Sequence, residues 1–280
     1  MYEGLTPTKF GRVASPAPMQ LRRLHVTAPA AQLREVAHQV PIPVLDQEDL
    51  LAQGIDTSQL VKGAVKVDAL GSCTCQAGTA HLAERWTAAG KPLSHLAMLL
   101  GTPLSATDPA GCEKTAIVLY HQVTDQTGNP ASEWPPTDCG SSGFYVCTEL
   151  ERMKLTHGYQ TGSGVLGALS LLQAGTVMQG LPWFKAWFQP DSQGFIDGDG
   201  SADALMAAID SGVAGGHETL QTAIEQLALT SSGQVDLAST VIRVRNSWSP
   251  KWGPIGGDYR IHASTLDLLS AYADFKQLVI

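Results

Sequence analysis

Apolar side chains recur at helical spacing in two stretches of the chain. The segment 77–89 (AGTAHLAERWTAA) is rich in alanine, and its apolar residues fall near helical spacing before Gly90. A glycine just after the last periodic residue is a typical helix end. The segment 165–175 (VLGALSLLQAG) also ends in glycine. We therefore predict two helices, the first of which begins just past a pair of cysteines.

Strand patterns are concentrated nearer the C-terminus. The segment 239–248 (STVIRVRNSW) alternates like a half-buried strand, 256–263 (GGDYRIHA) fits its hairpin partner, and 176–184 is strand-like. The apolar run 115–123 fits either a strand or the middle of a helix. Helices in the first half and strands in the second predict an α+β protein with segregated layers.

The first 64 residues differ from the rest, because proline and alanine interrupt every periodic pattern. The stretches SPAP, TAPAA and VPIPVL favour extended backbone, with one or two helical turns predicted within 30–40 and another short helix over 46–55. We predict a leading segment or arm over 1–64 and one domain over 65–280. The segment is expected to be either a propeptide that is cleaved off or an arm that contacts protein neighbours.

Charge and composition remove several classes of protein. The formal net charge is −8 and only 16% of residues are charged, which argues against a nucleic-acid-binding surface. No apolar run approaches the ~18 residues of a membrane span. No secretory signal peptide is visible at the N-terminus. We therefore expect a cytoplasmic protein, or one in a virion assembled inside a cell.

The stretch GSCTCQAGTA, residues 71–80, carries the candidate chemistry. A cysteine at a helix N-terminus feels the unpaired N–H groups there, which favour the thiolate. His217 follows the glycines Gly215 and Gly216, so that backbone can approach it closely. An Asn246 carbonyl that accepts from the imidazole would fix its tautomer. Together with Cys73 these residues make a candidate Cys-His-Asn site.

Other interpretations of the cysteines exist. Cys73 taken alone reads as a small buried hydrophobe. Cys73, Cys75 and His81 lack a second ligand pair at zinc spacing, so we predict no metal and no cofactor.

The segment 197–203 (DGDGSAD) lacks the glycine and glutamate of an EF-hand and is a predicted surface loop.

Several blocks resemble papain-like cysteine peptidases, in particular their compact branch in bacteria and phages. They are LGSCTCQA (70–77), DCGSSG (138–143), GTVMQGLPW (175–183), GGHE (215–218) and VRNSWSPKWGPIGGDYRI (244–261). They occur in the family's order. The gap from Cys73 to His217 lies within the ~130–150 residues typical of the family.

The resemblance implies a fold and a set of roles. The fold is a helical N-terminal subdomain packed on an antiparallel sheet or barrel, with the site in the cleft between them. Cys73 would be the nucleophile, or Cys75 if the register were shifted by two, with His217 as base and Asn246 as its orienter. The residues that shape the site or bind substrate would be Gly140, Ser141, Gly216 and Trp248.

Two positions depart from the family's pattern. The family places an oxyanion glutamine six residues before the nucleophile, where this chain has Val67, and Asp68 is the candidate remnant of the accompanying Asp-Gln-Gly run. Glu218 replaces a small residue and is expected either to raise the pKa of His217 or to block the site.

Two functions follow from these observations. The first is a cysteine peptidase that hydrolyses peptide or isopeptide bonds of a peptide or protein substrate through a thioester. The alternative is a catalytically degenerate papain-like domain that serves as a structural or binding component, for example in a phage tail or capsid.

Overall fold

The computed structural model of the protein describes residues 25–26, 29–125 and 133–280. The features predicted within 1–24, at 27–28 and in the loop segment 126–132 lie outside these residues. No helix in the described part of the chain is long and apolar enough to span a membrane.

Helices dominate the first half of the described chain. Their bounds are α1 (Thr57–Leu60), α2 (Cys73–Ala88), α3 (Leu93–Leu100), α4 (Pro109–Asp125), α5 (Gly143–Arg152), α6 (Gly164–Leu172), α7 (Ala202–Asp210) and α8 (Ala263–Leu268). Short 3₁₀ turns span Ala30–Gln32 and Lys185–Phe188. The helix α2 is buried almost all round, which its small alanine and glycine side chains permit.

The strands form one sheet. Their bounds are β1 (His25–Val26), β2 (Val36–Ala37), β3 (Tyr159–Gly162), β4 (Val177–Phe184), β5 (Val213–Gln226), β6 (Val241–Arg245), β7 (Asp258–His262) and β8 (Asp274–Leu278). The order is β1-β3-β8-β4-β5-β6-β7, with β2 paired to β5. The β1–β3 pair is parallel and the others are antiparallel. The predicted hairpin is confirmed, with Val244 opposite Tyr259.

Two hydrophobic clusters form the core. One packs α2 to α5 together with apolar residues from 40–61. The other packs α6 and α8 on strands β4 to β7. The predicted α+β architecture, with a helical part against an antiparallel sheet, is confirmed.

Two local predictions need correction, and two others are narrowed. The predicted helix 46–55 is a series of turns, because Asp46 pairs with Trp248 in an antiparallel bridge instead of starting a helix. Within 30–40 a single helical turn is found, at Ala30–Gln32, and a second is absent because Val36 pairs with Ile224 of β5. The helix α2 starts at Cys73 and not after the cysteines. The undecided run 115–123 is helical and belongs to α4.

The described part of the leading segment is packed into the core. Leu45, Leu50 and Ile55 are buried in the helical cluster, while Leu33 is buried in the cluster on the sheet. The division of the chain at residue 64 stays a prediction. A segment that acted as a separate arm would have to leave these buried side chains in place in the core.

Candidate active site

The helix α2 places Cys73 at its first position. Ser72 is the N-cap residue, and the preceding Gly71 donates its N–H to Asp138 Oδ2 at 2.8 Å. Cys73 therefore lies at the N-terminal end of the helix, where the helix dipole stabilises a negative charge. Its side chain is 0% exposed.

His217 and Asn246 form a hydrogen-bonded pair. Asn246 Oδ1 lies 2.7 Å from His217 Nε2 and also accepts the N–H of Ser247 at 2.8 Å. His217 lies on β5, where the preceding Gly216 pairs with Pro182 of β4. Asn246 directly follows β6 and is held by its own N–H bond to the Gly257 carbonyl. The pair leaves Nδ1 as the imidazole atom on the far side from Asn246.

Aromatic rings enclose this pair. The Trp248 ring stacks on His217 with centroids 4.6 Å apart, and Trp183 meets His217 edge-on at 5.0 Å. Phe188 stacks on the other side of Trp248 at 5.4 Å. His217 is 1% exposed and Asn246 3%. Excluding water in this way strengthens the His217–Asn246 hydrogen bond.

The loop with Gly140 and Ser141 is tied to the start of α2. Gly140 adopts a positive φ of 69°, a conformation that favours glycine. Its N–H donates to the Tyr120 hydroxyl at 2.8 Å, and that hydroxyl donates to Asp138 Oδ1 at 2.7 Å. Because Asp138 also holds Gly71, the loop and Cys73 share one anchor.

Gln47 is a candidate site residue that the sequence analysis did not single out. Its side chain is 0% exposed, and its Oε1 accepts from Ser247 Oγ at 2.8 Å. Its backbone N–H donates to the Ser247 carbonyl, and its own carbonyl accepts from the Leu70 N–H. Gln47 thus bridges the residue after Asn246 to the chain three residues before Cys73.

Gln47 is a candidate for the glutamine that the sequence analysis expected six residues before Cys73, where Val67 stands. Residues 48–69 separate the pair Asp46-Gln47 from Leu70, so a count along the chain lands on Val67 instead. Val67 belongs to a loop in which its N–H meets Thr57 Oγ1. The feature of the sequence that points to Gln47 is the Asp-Gln pair, which lies before the intervening segment 48–69.

Cys75 lies in a different environment from the helix start. It is fully buried, and burial raises the pKa of its thiol, with smaller contributions of the same sign from Cys73, Glu218 and Glu149. A thiolate at Cys75 is disfavoured by these surroundings.

Glu218 is fully buried and lies beside Gly143 and Lys276. A β-carbon at Gly143 would stand within 2.4 Å of Glu218 Oε1 and 3.2 Å of Lys276 Nζ. Burial opposes the charge of Lys276, but Asp274 and Glu218 attract it, and the net effect is a raised pKa of Lys276. The effect of Glu218 on the pKa of His217 stays a prediction.

Residues from both sides of the site line one cavity. Gln76 and Ala77 of α2 lie on one wall, and Glu218, Asn246 and Ser247 lie on the other. The described residues contain no cluster of three or more His, Cys, Asp or Glu side chains that would hold a metal ion.

Solved structures resemble this arrangement as a whole. No family model and no curated protein matches the chain by sequence. Xylellain, a cysteine protease from Xylella fastidiosa, matches with a TM-score of 0.54 and 15% identity over 100% of this chain and 98% of its own. The chain has the papain-like fold.

Two further matches score lower. Procathepsin B S9 from Trypanosoma congolense gives a TM-score of 0.44 at 12% identity, covering 96% of this chain and 85% of its own. Digestive procathepsin L2 from Tenebrio molitor gives 0.44 at 15%, covering 98% and 79%. The fold rests on the likeness to xylellain, which at 15% identity shows nothing about activity.

Proposed function

We propose that the protein is a papain-like cysteine peptidase with Cys73 as nucleophile, His217 as general base and acid, and Asn246 as orienter. The observation that carries the proposal is the 2.7 Å bond between His217 Nε2 and Asn246 Oδ1 beneath Trp248. It fixes one imidazole tautomer and leaves Nδ1 for a thiol, as cysteine acyl transfer requires.

The chemistry proceeds in two halves. His217 takes the Cys73 proton, and Sγ attacks the peptide carbonyl carbon to give a tetrahedral oxyanion. The C–N bond breaks as His217 protonates the leaving amine, which leaves a thioester. Water, deprotonated by His217, then attacks the thioester carbon, and the acid product leaves as the Cys73 thiol forms again.

The oxyanion needs donors, and Gln47 is the proposed side-chain donor beside the Cys73 N–H. Ser247 binds the carbonyl end of the Gln47 amide, so the orientation of the amide is fixed. Its NH₂ end is the donor that an oxyanion would require. The loop of Gly140 and Ser141 is proposed to pair with the substrate backbone, with Trp248 and Gly216 shaping the site.

The choice of Cys73 over Cys75 rests on their surroundings. Cys73 begins α2, where the helix favours a thiolate. Burial and nearby carboxylates raise the pKa of Cys75. The two thiols are therefore expected to differ in reactivity, which gives an internal comparison.

The test is the rate of Cys73 alkylation by iodoacetamide as a function of pH, read by mass spectrometry of digested protein. The wild type should react with an apparent pKa below the ordinary ~8.5 of a thiol. In His217→Ala that pKa should return to the ordinary range, while the control His157→Ala, at an exposed histidine, should match the wild type. An ordinary, His217-independent pKa in the wild type would overturn the proposal.

A second candidate function is favoured by the burial of Cys73, His217 and Asn246. A site closed in this way suits a catalytically degenerate domain that serves as a structural or binding component. Its placement in a phage particle stays a prediction. In that case Cys73→Ser would leave the protein's assembly unchanged, and Cys73 would resist alkylation until the chain unfolds.

A further inference from the structure

A buried glutamate on α4 contacts both parts of the chain that build the proposed oxyanion site. Glu113 is 0% exposed. Its Oε2 accepts the backbone N–H of Asp46 at 2.9 Å, and its Oε1 accepts from Gln76 Nε2 at 2.5 Å. One carboxylate thus holds the residue before Gln47 and a side chain of the helix that begins with Cys73.

The contact on the helix side leads to the nucleophile. Gln76 Nε2 also lies 3.0 Å from Ser72 Oγ, and Ser72 is the N-cap that precedes Cys73. The chain of contacts is therefore Asp46 N–H, Glu113, Gln76 and Ser72. Glu113, Gln76 and Ser72 are buried, with Gln76 1% and Ser72 0% exposed, and Asp46 is half-buried.

Sequence separation explains why such a link is needed. Gln47 is 26 residues before Cys73, so the covalent chain does little to fix their relative positions. The hydrogen bonds from Gln47 to Leu70 and Ser247 position its backbone. They fix Gln47 relative to the residues that precede α2, but they do not contact the helix itself. Glu113 supplies that connection from a third element.

We propose that Glu113 is a positioning residue, which holds Asp46-Gln47 in register with the start of α2 so that the Gln47 amide meets the oxyanion formed at Cys73. The inference rests on the proposed peptidase function. A carboxylate suits the role because it accepts from two donors at once, whereas an amide at the same place would present an N–H₂ group to one of them.

The experiment is a double-mutant cycle of Glu113→Gln and Gln47→Ala, with kcat and KM measured on a peptide substrate. Gln47→Ala should lower kcat by ~10²–10³, the usual effect of losing one oxyanion donor. Glu113→Gln should lower kcat by ~10–100-fold through misplacement of the amide. The double variant should be no slower than Gln47→Ala, because Glu113 acts through Gln47.

A reaction that forms no oxyanion distinguishes a positioning role of Glu113 from a general loss of structure at the site. Alkylation by iodoacetamide forms no oxyanion, so Cys73 should be alkylated equally fast in the wild type, in Glu113→Gln and in Gln47→Ala. The matched control is Glu84→Gln, since Glu84 is another buried carboxylate that accepts hydrogen bonds, from the Thr176 N–H and hydroxyl. It should lower stability without any coupling to Gln47.

Folding of each variant is checked by thermal unfolding, and Glu113→Asp is a second variant that keeps the charge. Multiplicative losses in the double variant, or an equal loss of alkylation, would overturn this inference while leaving the peptidase proposal standing. A wild type that cleaves no peptide and has an unactivated Cys73 would overturn both. Coupling with unchanged alkylation supports the inference.

Discussion

Two buried titratable side chains outside the proposed triad give opposite pH dependences of stability. His81 Nε2 accepts the Leu278 N–H at 2.9 Å, so Nδ1 carries the proton toward Thr176 Oγ1 at 2.7 Å. Burial lowers the pKa of His81 well below its ordinary 6.5, and burial raises the pKa of Glu113 from 4.5 to about 7. The histidine is thus held neutral, while Glu113, whose two oxygens accept hydrogen bonds as a carboxylate, takes up a proton as pH falls below about 7.

The sign of each pH dependence follows from whether the folded or the unfolded state binds the proton more tightly. Below pH 6.5 the unfolded chain protonates His81 before the folded one does, so that contribution to stability is lost as pH falls. Glu113 binds its proton more tightly in the folded state, so its contribution is present below pH 4.5 and lost as pH rises through about 7.

We therefore expect His81→Gln and Glu113→Gln to change the slope of the free energy of unfolding against pH in opposite directions between pH 5 and 7. The stability deficit of His81→Gln should shrink as pH falls, and that of Glu113→Gln should shrink as pH rises, each by up to ~1.4 kcal/mol per pH unit. Urea unfolding at several pH values measures this. Curves that stay parallel to the wild type would contradict it.

Residue identity alone predicted the partners His217 and Asn246, because a Cys-His-Asn site needs those residue types whatever their separation. It failed for Gln47, since the position of that side chain depends on a segment that returns to the site after residues 48–69. The bonds from Gln47 to Leu70 and Ser247 exist only in the folded chain. A count along the sequence had no means of finding them.

At the scale of elements, the Tyr120 hydroxyl joins α4 to two loops. It donates to Asp138, which holds Gly71, and it accepts from Gly140. Burial raises the pKa of Asp138, whereas the bonds from Gly71, Tyr120 and Gly140 lower it. The entry to α2 and the proposed substrate-pairing loop therefore depend on one phenol.

Tyr120→Phe should loosen the Gly140 loop more than the helix. The buried N–H of Gly140 and the half-buried carboxylate of Asp138 would each lose a partner, which costs up to ~1–3 kcal/mol in stability where the group is buried. KM for a peptide should rise more than kcat falls, because the loop is proposed to bind substrate backbone. Steady-state kinetics check this against Tyr272→Phe, at a tyrosine that is 56% exposed. An unchanged KM would remove the Gly140 loop from the proposed binding site.

The sequence pattern predicted helix or strand correctly where the packing of the folded chain agreed with it. The hairpin of β6 and β7 matched its alternation, and α6 matched its apolar run. The segment 46–55 has an acidic start typical of a helix, yet Asp46 bridges Trp248 and Glu113 accepts its N–H. Tertiary contacts overrode local preference there, at the point where the chain reaches the proposed site.

At the scale of the whole molecule, the leading segment contributes to both hydrophobic clusters. Leu50 and Ile55 are at most 1% exposed, and Leu33 is buried against the sheet. Truncating one such side chain to alanine typically costs ~2–5 kcal/mol, which is comparable with the ~5–15 kcal/mol stability of a whole domain. Any part of the chain that is removed to open the proposed site must therefore lie before these residues.

Two truncations test this. A chain without residues 1–28 should fold and unfold cooperatively, because it loses the two-residue edge strand β1 but keeps every described residue of both clusters. A chain without residues 1–64 should fail to fold, since it loses Leu33, Leu50 and Ile55 together with Gln47. Near-ultraviolet circular dichroism and thermal unfolding distinguish the two, with the full chain as control. A folded 65–280 fragment would instead establish residue 64 as a domain boundary, and a removable propeptide could then extend that far.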